Sequence, residues 1–167
     1  METLDDDWEL SPENAHPRAA ELMRDPYFWD IGDDNSPFGN DAGADTLDFY
    51  RAWYEENDEA GGGEFLSELF EEWDVDQDFA TSIPDSELGS RLEDENYHIF
   101  TYDDSVVALA FAQLILTGEV EPQIGQAAIV ALRRQALPEV IEYRGWSDPT
   151  ERELRCVEMT EALLKAE

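Results

Sequence analysis

The chain has 167 residues, of which 42% are hydrophobic, and its 42 Asp and Glu against 10 Lys and Arg give a formal net charge of −32 at pH 7. That apolar content, with five Trp, six Tyr and eight Phe, excludes a generally disordered chain, and the length suits one domain with a sizeable core. So anionic a chain repels nucleic acid and anionic membranes and attracts cations and basic proteins, so neither DNA, RNA nor a membrane is an expected partner. The excess is uneven: residues 1–104 carry 32 acids and 4 arginines, whereas residues 105–167 carry 10 acids and 6 bases. The opening METLDDDWEL lacks a basic stretch followed by an apolar run, and the single Cys156 has no internal disulfide partner. A cytoplasmic protein is the expectation.

In chain order, residues 1–10 read as an acidic lead-in that Trp8 can pin to the body, and residues 11–167 as one helical domain. Ser11 and Pro12 resemble a helix start, but Pro17 interrupts, which places the first main helix at about Pro17–Arg24. Asp25–Asn40 reads as an ordered loop with Tyr27, Phe28 and Trp29 facing the core. A second helix is expected from near Asp41 to about Asn57, with Asn40 or Asp41 as cap and Phe38 as a staple. Gly61, Gly62 and Gly63 break the chain, and a short helix follows over Glu64–Trp73 with Phe65, Leu69 and Trp73 on one face. Asp74–Ile83 reads as loop, and Pro84 can start a turn or two of helix through Leu92.

Tyr97–Tyr102, YHIFTY, is the one strand-like run, and it reads either as a short β segment or as an extended lead into the next element. That element organises the chain. Between Val106 and Leu116 every residue except Gln113 is apolar, so a helix here must be covered on all sides. Asp103, Asp104 or Ser105 is its expected N-cap and Gly118 its left-handed end. At about 17 Å these eleven residues fall short of a membrane's hydrocarbon core. Pro122 opens a further helix with Ile124, Ala128, Ala131 and Leu132 on one side, and Pro138 is expected to end it. In the last helix Asp148 is the N-cap, Pro149 the first residue and Glu151 the third; Leu154, Val157 and Leu164 are expected to form its core stripe, broadened by Cys156 and Leu163, with Glu161 its one polar intrusion. The fold class is mainly α, a single compact domain around the buried central helix.

Few residues suggest chemistry. Asp74, Asp76 and Asp78, with Asp85 twelfth, have the ligand spacing of a helix–loop–helix calcium site. Phe79 stands where the turn needs glycine and Asp85 where a bidentate Glu is usual, which favours a solvated acidic loop; no cofactor other than calcium is suggested. His16 and His98 belong to no paired spacing and read as structural. Cys156 lies on an amphipathic helix as a small buried thiol, and no GxSxG is present. No catalytic constellation is visible, and a non-enzyme is expected. In WDIGDDNSPFGNDAGAD, residues 29–45, the carboxylates of Asp33, Asp34, Asp41 and Asp45 are placed to meet a cation or a partner's arginine, against the plainer reading of a capped tight loop.

DDWELSPENAHPRAAELMRDPYFWD (Asp6–Asp30) followed by SPFGNDAGADTLDFYRAWY (Ser36–Tyr54) resembles the YfeS-like group of uncharacterised bacterial proteins. FGNDAGAD and the later apolar helix are also similar to a wider set of small bacterial domains built around F-x-N-D-x-A-x-D, with Gly43 here in place of that pattern's Ala. The resemblance implies a bacterial, cytoplasmic, helical domain and transfers no catalytic residue. Two functions are open on the residues alone. One is an acidic interaction protein, such as an immunity or inhibitor module, that meets a basic protein partner through Trp8, Tyr54, Trp73, Asp33, Asp34 and Asp45. The other is a salt-adapted acidic domain with weak binding of divalent cations at Asp74, Asp76, Asp78 and Asp85.

Overall fold

Local chemistry at helix ends explains much of the architecture. The computed structural model describes residues 7–167, so most of the acidic lead-in lies outside the described residues. A single turn of 3₁₀ helix at Pro12–Asn14 precedes α1 (Pro17–Leu22), whose start is capped by His16 Nδ1, which accepts from the Arg18 amide at 3.1 Å. A second 3₁₀ turn, Pro26–Trp29, buries Tyr27 and Phe28 as expected. Then come α2 (Asp41–Glu56), α3 (Gly62–Glu72), α4 (Gln77–Ser82), α5 (Asp85–Thr117), α6 (Pro122–Gln135), α7 (Pro138–Arg144) and α8 (Pro149–Lys165). There is no strand among the described residues.

Helix α5 is the axis, and it is much longer than its apolar stretch. Its 33 residues run without a break through Tyr97–Tyr102, so that segment is neither a β segment nor an extended lead. Tertiary packing overrides the local β propensity there. Ile99 and Tyr102 are buried, and Ile99 joins Leu88, Leu92, Ile83 and Val140 in a small cluster that covers the first half of α5. The second half, Val106–Ile115, is buried on all sides in the main cluster, wrapped by α1, α2, α3 and α6. Asp103, Asp104 and Ser105 are therefore interior helical residues rather than caps, and all three are buried. At about 50 Å, α5 is also long enough to cross a membrane. Burial, not length, marks it as a core helix: 83% of its most apolar window lies inside the protein.

Three further elements depart from expectation. The segment after α3 contains α4, capped by Asp76 Oδ1 accepting from the Phe79 amide at 2.9 Å. Pro138 does not merely end α6; it is the first residue of α7, a position that suits a residue without an amide hydrogen. The last helix turns the other way. Its cap is as expected, with Asp148 Oδ1 accepting from the Glu151 amide at 3.1 Å. Its core face centres on Met159 and Ala162 together with Cys156 and Leu163, the two expected at the stripe's margin, whereas Leu154, Val157 and Leu164 are exposed.

The loop before α2 is held by close backbone approach. Asn40 is the cap, its Oδ1 accepting from the Gly43 amide at 2.7 Å, and Phe38 is fully buried beneath it. A Cβ on Gly43 would stand 2.3 Å from the carbonyl oxygen of Pro37, and one on Gly39 would stand 1.9 Å from that of Asp33. FGNDAGAD thus needs glycine at both positions for the loop to fold back on α2. Gly43→Ala is expected to cost about 1–3 kcal/mol through overpacking, seen as a lower thermal midpoint. An unchanged midpoint would show that the Pro37 segment yields.

Candidate functional site

The adjacent carboxylates of α5 are the centre of a buried polar network. Asp103 Oδ2 lies 3.2 Å from Arg134 Nε of α6, both side chains being 4% exposed or less. Arg134 Nη1 also donates to the Ala80 carbonyl at 2.7 Å, which ties in α4. Asp104 is gripped by both terminal nitrogens of Arg144 from α7, at 3.1 and 2.9 Å, and accepts from Gln135 Nε2 at 2.9 Å. Gln135 Oε1 in turn accepts from Arg152 Nη2 of α8 at 2.9 Å, and Arg152 Nη1 donates to Asn35 Oδ1 at 3.3 Å. The guanidinium of Arg152 stacks 4.4 Å over Trp146, and that of Arg144 4.5 Å over Phe100. Five helices and the loop at Asn35 are joined through these side chains, with Asp103 Oδ1, Arg134 Nη2 and Arg152 Nε left without a hydrogen-bond partner.

Above the Arg144–Asp104 pair lies an open cavity of about 600 Å³, formed between the loop at 30–40 and the α7–α8 connection. Its rim carries Asp30, Asp33, Asp34, Asp148 and Glu151, and its floor Arg144 and Arg152. Local backbone chemistry fixes the rim. Asp30 Oδ1 accepts from the Gly32 amide and Asp33 Oδ1 from the Asn35 amide, each at 2.9 Å. Each of these turns engages one oxygen of its carboxylate. The floor arginines are engaged by Asp104, Gln135 and Asn35, so the cavity mouth is anionic, and it suits a cation better than an anion.

Burial pushes the Asp103 carboxyl from 3.8 up to about 8; Arg134 pulls it down and Asp104 pushes it up again. Arg134 meets only Oδ2, and Oδ1 accepts no hydrogen bond, so burial prevails. Burial raises the Cys156 thiol as well, and that residue is a packed core thiol.

The expected interface residues do not form one surface. Asp33 and Asp34 share the cavity rim, but Asp45 lies on the exposed side of α2, its carboxyl raised by partial burial and by Asp41 and Asp48. Trp8 is half-buried with the Arg51 guanidinium 3.9 Å over its ring, and Trp73 is half-buried against Phe49, with ring centroids 6.0 Å apart. Tyr54 packs on Tyr50 at 5.8 Å and borders a different groove, beside Asp58, Glu59 and Glu119. The calcium spacing is not realised as a loop either. Asp76 caps α4, Asp78 lies within it, and Asp85 bonds Arg133 Nε at 2.8 Å. Among the described residues no three His, Cys, Asp or Glu are grouped to hold a metal ion. His98 Nδ1 accepts from the Asp76 amide at 3.0 Å, a structural role like that of His16.

Asp104, Arg144, Arg152, Asp148 and Glu151 were not among the site residues expected from the sequence. One signal was present: five of the ten bases fall within residues 133–155 of so acidic a chain. No family model matches this chain, and no curated protein or solved structure matches it significantly. The likeness to the YfeS-like group stands on the quoted residues alone.

Two outcomes follow from the network. Arg144→Met leaves Asp104 buried without its cation and is expected to cost about 3–5 kcal/mol, whereas Asp104→Leu combined with Arg144→Met costs less than the single change. Equal losses in urea unfolding would show that the pair acts through packing only. Folded Asp103 keeps its proton to higher pH than the unfolded residue at 3.8, so its stabilising contribution is complete below that value and lost as pH rises through about 8. The thermal midpoint should fall between about pH 4 and 8 and level off above, and Asp103→Asn should flatten the fall. The same slope in both proteins would mean that Asp103 is ionised throughout.

Proposed function

We propose that this is a cytoplasmic, non-catalytic interaction protein of the immunity or inhibitor type, which binds a basic protein by receiving its Lys or Arg side chains at the acid-rimmed cavity. The observation that carries this reading is the rim itself, in which Asp30, Asp33, Asp34, Asp148 and Glu151 surround a cavity whose two arginines are already engaged. A guanidinium or ammonium entering there meets several carboxylates held on tight turns, so little ordering remains to oppose binding. The charge of −32 accelerates the encounter and turns away anionic competitors. The test is capture from a lysate of the source organism, with wild type beside the triple variant Asp33→Asn, Asp34→Asn, Glu151→Gln. The expected result is one basic protein, retained in stoichiometric amount above about 0.3 M salt, where simple surface attraction is screened, and lost by the variant. A mixture of basic proteins leaving both columns at modest salt would overturn the reading.

A second reading is favoured by how the cations are used. Arg134, Arg144 and Arg152 serve the buried network, and Arg51 stacks on Trp8. With four of the ten cations drawn inward, the outer surface is dominated by carboxylates, as suits a protein adapted to high salt. In that case the thermal midpoint rises steadily with NaCl to about 1 M as self-repulsion is screened. A midpoint indifferent to salt would dismiss it.

A further inference from the structure

Helix α8 is apolar on two opposite faces, and only one of them has a partner within the chain. Cys156, Met159 and Leu163 are buried at 2%, 1% and 2% exposure, whereas Leu154, Val157 and Leu164 on the far side are 54%, 52% and 51% exposed. Positions 154, 157, 161 and 164 follow one another by three, four and three residues, the spacing of a helix–helix seam. The seam's one polar member is Glu161; Glu153 flanks it on one side, and on the other lie Glu158, already paired with Arg155 at 2.8 Å, and the exposed Lys165 one turn beyond Glu161. A second copy fits this face poorly. It brings another charge of −32 and sets its own acid-bearing seam against the same acids. The chemistry that complements the face is apolar in the middle and cationic opposite Glu161 and on the Glu153 side.

We infer that this face of α8 docks an amphipathic helix of a basic protein, with the partner's apolar seam on Leu154, Val157 and Leu164 and a Lys or Arg opposite Glu161. The inference rests on the basic-partner reading but uses a surface outside the cavity, so the two can fail separately. Burying three half-exposed aliphatic side chains supplies short-range affinity that charge alone does not, and Glu161 fixes which partner register is accepted.

The probe is a labelled helical peptide of about three heptads, with Leu at a and d and Lys at e and g, titrated with the full chain at about 0.15 M salt. Fluorescence anisotropy should show saturable one-to-one binding. The triple variant Leu154→Ser, Val157→Ser, Leu164→Ser, which leaves the charge unchanged, should weaken it by about tenfold or more. Because the replaced side chains are half exposed, its thermal midpoint should stay near that of the wild type. Glu161→Lys, a second variant that spares the apolar residues, should weaken binding more than the same change at the distant, exposed Glu93. Equal binding by the serine variant and the wild type, or no binding at all, would overturn the inference. So would a wild-type dimer in high salt that the serine variant loses, since the occupant would then be a second copy. If the lysate partner is lost with the cavity variant while the serine variant still captures it, the cavity reading stands and this one falls.

Discussion

Two carboxylates placed side by side in the interior of a helix set the terms for everything packed around them. Taking an ionised carboxylate out of water costs several kcal/mol even after relaxation, which Asp103 meets by holding its proton and Asp104 by pairing with Arg144. Asp103 and Asp104 are 2% and 7% exposed, so every element near them must answer that cost. α6 answers with Arg134 and Gln135, α7 with Arg144, and α8 with Arg152, which reaches the loop at Asn35. Apolar packing alone tolerates sliding, because hydrophobic attraction has no direction. A bidentate guanidinium has one good geometry, so the Arg144–Asp104 pair fixes the position of α7 along α5. The short α7 has little apolar surface of its own beyond Val140 and Ile141, and this pair locates it.

What could be read from the residues was largely what depends on near neighbours. Asp148–Pro149, Asn40 and Gly118 announce helix ends because capping is a contact between residues a few positions apart. The run of α5 that is apolar but for Gln113 announces a core helix for the same reason. What was illegible depended on distant partners. YHIFTY is helical because Ile99 and Tyr102 pack within the two clusters and the helix continues on both sides. Asp103 and Asp104 look like caps until Arg134 and Arg144, some thirty to forty positions later, are seen to face them. The rotation of α8 is the clearest case. Leu154, Val157 and Leu164 and the set Cys156, Met159 and Leu163 both have helical spacing, and the residues alone put the first set at the centre of the stripe with Cys156 and Leu163 at its margin. The choice was made by Arg152, which lies on the cysteine side and must reach Gln135 inside.

Charge is segregated by sign as well as by sequence. Four of the nine arginines, Arg51, Arg134, Arg144 and Arg152, work inward, against Trp8, Asp103, Asp104 and Trp146, and the carboxylates dominate outward. A field of that size extends only about 8 Å at physiological salt, so it governs encounter rather than choice. Choice needs features with shape, and two lie close together on α8. Glu151, in its first turn, stands on the cavity rim, and Leu154, which opens the exposed seam, follows about 4.5 Å further along the axis. A single basic helix laid along α8 can therefore place an apolar seam on Leu154, Val157 and Leu164 while its end, or the chain that follows it, delivers a cation past Glu151. The buried network gives this surface its rigidity. Arg152, between the two features, is held by Gln135 and Asn35, so the first turn of α8 cannot move without breaking the charged interior.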